Sequence, residues 1–149
     1  MRNKELTPRQ REKQERRIAR RRKFMERIAE NGGDILRSDN FKSTRRSIQH
    51  GTISVHSHCI SVAGCSLAIH EKLEKMGIKS EEKDIIRGAL LHDYFLYDWH
   101  EKSDDHRLHG FTHPARALKN AEEIFDLSVV EKDIIKRHMF PLTPVPPAY

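Results

Sequence analysis

Cysteine is nearly missing from this chain, which carries only Cys59 and Cys65, with five residues between them. On one helix that span is too long for a comfortable disulfide, and no Cys-x-x-Cys pattern accompanies it. Both therefore read as buried thiols in a reducing compartment, and a disulfide framework is excluded. Long apolar runs are absent too. The longest, "CISVAGCSLAI", has 11 residues including two serines and a glycine, against the roughly 18 a membrane span needs. The start, "MRNKELTPRQREKQ", has no apolar signal-peptide core. A cytoplasmic protein without membrane contact is expected. Aromatic residues make up only 7% of the chain and do not interleave with its basic stretch.

What is abundant is charge, unevenly spread. Residues 1–30 carry 12 Lys/Arg and 5 Glu, a surplus of seven positive charges, whereas residues 31–149 carry 16 Lys/Arg and 17 Asp/Glu. The basicity belongs to an N-terminal arm. Clustered cations release counterions on binding phosphates, so residues 7–30 could serve nucleic acid. The missing aromatics and the Glu spacings, which suit i,i+4 pairs, favour a solvated helix instead.

The 149 residues suffice for one core. Residues 1–47 read as a basic helical arm and linker, and residues 48–149 as the domain. The arm helix spans 7–30: Thr7 caps it, Pro8 takes its first position, Gln10 completes a capping box and Gly32–Gly33 ends it. The stretch 31–52 suits a linker or a short helix. Four helices follow. The first covers about 55–76 and turns His58, Val62, Cys65 and Ile69 inward, ending at Gly77. The second starts after Ser80 as N-cap and runs through Ile85, Ile86, Ala89 and Leu90 to His92–Asp93. A polar loop leads to the third, opened by Pro114 at its first position with His113 at its mouth. The fourth runs from Val129 to about Met139, behind a Ser128/Glu131 capping box, and stops at "PLTPVPP". No segment shows strand alternation, so the class is all-α, a helical bundle preceded by a basic helix.

All ten histidines lie between His50 and His138. His58, His92–Asp93, His113 and His138 each fall near a helix end, and in an antiparallel bundle such ends can converge. Imidazole nitrogens with a carboxylate suit a divalent ion in a roughly octahedral site, such as Mn, Fe, Co, Ni or Mg, better than a structural zinc. Taken singly, His58 and His138 could be ordinary helix histidines. His92–Asp93 could be a helix-terminal cation beside an exposed acid. His109 and His113 are four apart and either could ligate, His109 fitting a loop histidine better.

With these residues in order, the chain resembles the HD superfamily of metal-dependent phosphohydrolases over roughly residues 50–140. "SHCISVAG" sets His58 at the family's first histidine, and "GALLHDYF" sets His92 and Asp93 at its signature pair. "GFTHP" and "IIKRHMFP" set His113 and His138 at the histidines added in two-metal members. The resemblance implies an HD-domain-like bundle that binds one or two divalent ions and hydrolyses a small phosphoester, possibly a nucleotide, with a metal-activated water. It implies that Asp93 bridges or lies between the ions. Two departures stand out. No aspartate follows Asp133 to match the family's closing one, so a further helix past Tyr149 is expected, with Asp98 as a substitute acid or a degraded site as the alternatives. Tyr94, Phe95 and Leu96 follow the pair where many members place a glycine and a lysine two and three residues on, so phosphate contacts come from Arg116 or Lys119 or are absent. Asp98 and Glu101 are candidates for protonating the leaving oxygen. The competing classes are a regulatory or binding protein that keeps the frame without turnover, and a nucleic-acid binder using the arm.

Overall fold

The computed structural model describes residues 6–96 and 109–149. Among them are six helices, α1 (Pro8–Arg37), α2 (Asp39–Ser43), α3 (Val55–Lys75), α4 (Glu82–Leu91), α5 (His109–Glu122) and α6 (Val129–Arg137). A two-stranded antiparallel hairpin, β1 (Ile48–His50) with β2 (Ile53–Ser54), joins α2 to α3. The fold is mostly helical, as expected from the patterning. The hairpin was not expected. Its strands are too short to show alternation, and Gly51, at φ 56°, makes the turn.

Helix α1 opens with the expected capping box, Thr7 and Gln10 satisfying each other's backbone N–H. It does not end at Gly32–Gly33 but continues to Arg37, with a kink at Gly32. The glycine serves a close approach rather than a stop: a Cβ at Gly32 would lie 2.5 Å from Leu90 Cδ1. Ser38 then ends one helix and starts the next. Its N–H bonds back to the carbonyls of Asp34 and Ile35, while its hydroxyl accepts from Phe41 N–H. Ile28, Ile35 and Phe41 are buried in the same core as Leu67, Leu90 and Ile135. The early part of α1 is exposed and carries the Glu12–Arg16 and Arg22–Glu26 i,i+4 pairs. Arg27 fastens this helix to α3 and α4 by bonding Glu71 and Glu82.

Helix α3 buries Val55, Cys59, Ala63, Leu67 and His70. The expected inward stripe is therefore one residue off: His58 and Val62 are half-buried, Cys65 is exposed and so is Ile69. Of the two thiols only Cys59 is buried, which corrects the reading of Cys65. The end at Gly77 is as expected, a Schellman motif with Ile78 N–H on Leu73 O, Gly77 N–H on Glu74 O and Gly77 at φ 85°.

Helix α4 is central, packing against α1, α3 and α6, and it is buried from Ile86 to Leu91. Ser80 does not cap it. Glu81 is the N-cap residue, and the Ser80 hydroxyl lies 3.0 Å from Nδ1 of the buried His70. Gly88 lets α6 come close, since a Cβ there would meet Ile134 Cγ2 at 2.8 Å. Helix α5 starts at His109, earlier than expected, so Pro114 lies inside it and His113 sits in its second turn. Helix α6 has the expected Ser128/Glu131 capping box, with His138 as its C-cap. No helix of the described residues is long and apolar enough to cross a membrane.

Candidate metal centre

Four histidines surround one carboxylate at the C-terminal end of α4. His92, at the C-cap, and Asp93 follow the most buried stretch of the molecule, and they are themselves only 6% and 2% exposed. His58 comes from the first turn of α3, His113 from α5 and His138 from the end of α6. Burial of this depth rules out the plain alternative of an exposed acid beside a helix-terminal cation.

The arrangement has two halves that share Asp93. Its Oδ2 lies 3.4 Å from His58 Nε2 and 3.3 Å from His92 Nε2. Its Oδ1 lies 3.3 Å from His113 Nε2 and 3.5 Å from His138 Nε2. Within each half the imidazoles also meet, His58 and His92 at 3.2 Å and His113 and His138 at 2.8 Å, Nε2 to Nε2. All four histidines thus turn the same ring atom to one carboxylate.

Backbone contacts set which nitrogen can ligate. His92 Nδ1 is 2.8 Å from Ala89 O, and His138 Nδ1 is 2.8 Å from Ile135 O. A carbonyl only accepts, so each Nδ1 carries the proton and each neutral ring offers its lone pair at Nε2. With rings in that neutral state around a single carboxylate, the cluster would be short of positive charge.

In the metal-free cluster protons supply part of that charge, and His92 carries one on Nε2 toward Asp93 as well. Burial alone would raise the Asp93 carboxyl, but hydrogen bonds from His113 and His92 and the positive charge near it hold it well below the usual carboxylate range. Burial opposes charge on His92, yet bonding to Asp93 and to Cys59 raises it well above an ordinary imidazole. Burial, with His92 and His113 as like charges nearby, pushes His138 down to about 4 despite Asp93 and the Ile135 carbonyl. The site therefore holds a charge on Asp93 and keeps a ready ligand in His138.

The donors fit a metal ion. Two sets, His58/His92/Asp93 and Asp93/His113/His138, each bring their ligand atoms within 4.8 Å of one another. With bonds of about 2.1 Å, neighbouring donors of an octahedral ion stand about 3.0 Å apart, close to the separations found here. Each set supplies three donors, and one carboxylate can serve both. A buried His/Asp cluster able to hold a metal ion is what the fold builds.

All five expected ligands meet at this point. His113 is the α5 residue in the described cluster, and the side chain of His109 lies outside the description. Asp98 and Glu101, expected as acids, fall outside the described residues. Arg116 and Lys119 lie on α5 beyond His113, the first half-buried and the second exposed. Sequence reading missed Gln49, which is buried in β1 and donates from Nε2 to Asp93 Oδ2 at 2.8 Å. No signal in "RSIQHGT" marks it. Phe95 also packs edge-on against His113, with ring centroids 6.0 Å apart, and Asn120 holds the Tyr94 carbonyl at 3.0 Å.

The molecule is thus a helical protein with a buried His/Asp centre suited to a metal. Comparison with protein-family models, curated proteins and solved structures gives no match.

Proposed function

We propose that this protein is a metal-dependent phosphohydrolase of the HD type, acting on a small phosphoester such as a nucleotide, in the cytoplasm. The observation that carries the reading is the division of one buried carboxylate between two histidine pairs, with Nε2 presented from every ring. His58, His92, His113, His138 and Asp93 would hold one or two divalent ions such as Mn, Fe, Co, Ni or Mg. When bound, such ions polarise phosphoryl oxygens and activate water near neutral pH.

The chain's own residues prepare that chemistry. Asp93 remains ionised and can serve two donor sets at once. The Ala89 and Ile135 carbonyls hold the protons of His92 and His138 on Nδ1, away from the ligand positions. Tyr94 and Phe95, which follow the pair, are buried, and Phe95 packs on His113. Asp98 is the acid proposed for the leaving oxygen, and Arg116 or Lys119 the cation proposed for phosphate.

Metal analysis of the purified protein, with hydrolysis of p-nitrophenyl phosphate in each of these metals, tests the proposal. Stoichiometric metal and turnover, both lost in His92→Ala and Asp93→Ala, are expected. Metal without turnover of any phosphoester would instead favour a regulatory protein that keeps the centre for binding. Folded protein that takes up no metal would overturn the reading altogether.

A further inference from the structure

Gln49 lies where the pairing of β1 with β2 is irregular, between Ile48 and His50. Such irregularities re-aim side chains, and here the amide is turned inward against Asp93. Gln49 is 8% exposed, and its Oε1 is buried with no hydrogen-bond partner among the described residues. Buried polar atoms are nearly always satisfied, so in its present orientation the amide leaves its acceptor unused beside a cluster of metal donors.

The present orientation follows from the neighbour. An ionised carboxylate can only accept, so it draws the N–H side of the amide toward itself. A half-turn about the last side-chain torsion exchanges nitrogen for oxygen at little cost, because that torsion is broad. The position that Nε2 occupies is 2.8 Å from Asp93 Oδ2, close to the separation of about 3.0 Å between neighbouring donors of an octahedral ion. That Oδ2 is the oxygen facing His58 and His92.

We infer that Gln49 is a metal ligand, giving its Oε1 as a neutral oxygen donor to the ion held by His58, His92 and Asp93 Oδ2. The inference rests on the reading of the cluster as a metal centre, not on hydrolysis. It makes the two halves unequal, the Oδ2 half gaining a fourth donor without gaining negative charge. A hard amide oxygen beside two imidazoles and a carboxylate favours ions that accept mixed nitrogen and oxygen sets.

Cobalt(II) titration of the full chain tests this, followed by calorimetry and by visible absorption, with circular dichroism to confirm folding. Gln49→Ala is expected to weaken cobalt binding by at least the roughly 10- to 100-fold that loss of an outer-shell partner costs, and to change the visible bands. Gln49→Glu is expected to bind at least as tightly as the parent chain, because a carboxylate ligates but cannot donate to Asp93. If Gln49→Glu binds as weakly as a Gln49→Leu variant, the amide acts only by donating to Asp93 and the inference falls. Unchanged cobalt affinity and bands in Gln49→Ala would overturn it as well, even with hydrolysis intact. The expected cobalt pattern in a protein that hydrolyses nothing would leave this assignment standing and remove the enzymatic one.

Discussion

Two buried polar clusters sit on the same helix, at Arg87 and at His92–Asp93, and they are built on opposite principles. Arg87 is surrounded by partners: Asp34 takes its Nη1 with both oxygens at 2.7 Å, Glu131 takes Nε at 2.8 Å and the Asp126 carbonyl lies 3.4 Å from Nη2. There one cation serves two carboxylates and each of its nitrogens finds an acceptor, and the guanidinium is held protonated beyond its ordinary range. The Asp93 cluster is the reverse, with four imidazoles sharing a single anion and crowding their nitrogens against one another. A closed network ties α1, α4 and α6 together, whereas an open one asks for a cation. The two clusters thus differ in how far their groups satisfy one another, and the less satisfied one is the candidate site.

The largest effect should come from breaking the closed cluster. Arg87→Met leaves the buried Glu131 without its cation and should cost about 3–5 kcal/mol in urea denaturation. Metal uptake per folded molecule should stay unchanged, and loss of both would mean that the two clusters are not separable. Filling the open cluster comes next. An ion at a hundred times its Kd should stabilise the chain by about 2.7 kcal/mol and raise the melting temperature by several degrees. A chelator should reverse the gain, and Asp93→Asn should abolish it while Arg87→Met leaves it intact.

The protonation of His92 separates the clusters further. Its folded-state pKa is raised, so its contribution to apo-protein stability is complete below about 6.5 and is lost as the pH rises through the folded value. An incoming ion must displace that proton. Metal affinity should therefore rise by up to about tenfold per pH unit between about pH 6.5 and the folded value. Calorimetry in buffers of different ionisation heat should show proton release on binding, and a pH-independent affinity would contradict the raised value. The smallest effect belongs to the rim of the closed cluster. Ser128 caps α6 and its hydroxyl bonds Asp84 at 2.8 Å, so Ser128→Ala should cost about 1 kcal/mol in thermal denaturation without altering metal uptake.

Much of this was legible in the residues. Capping boxes at Thr7 and Ser128 and the glycine at 77 fixed helix ends, because those signals act within a few residues. The five donors were legible because few other roles call for His and Asp inside apolar helices. The inward face of α3 was misread because two neighbouring stripes, 55/59/63/67 and 58/62/65/69, are both apolar. Only packing against α1 and α4 chooses between them. Gly32 read as a stop since its real role, yielding space to Leu90, depends on a residue 58 positions away. Gln49 and the partners of Arg87 were invisible for the same reason. Nothing local distinguishes a glutamine aimed at a carboxylate from one in water.

The hydrogen at Gly88 has a reach out of proportion to its size. Ile134 fills the space where a methyl group would stand, and His138 follows it one turn later on α6. A larger residue at 88 would push α6 outward like a wedge under a lever, carrying His138 away from His113 while His58 and His92 kept their places. The spacing of one half of the centre is therefore gauged by an atom that never touches it.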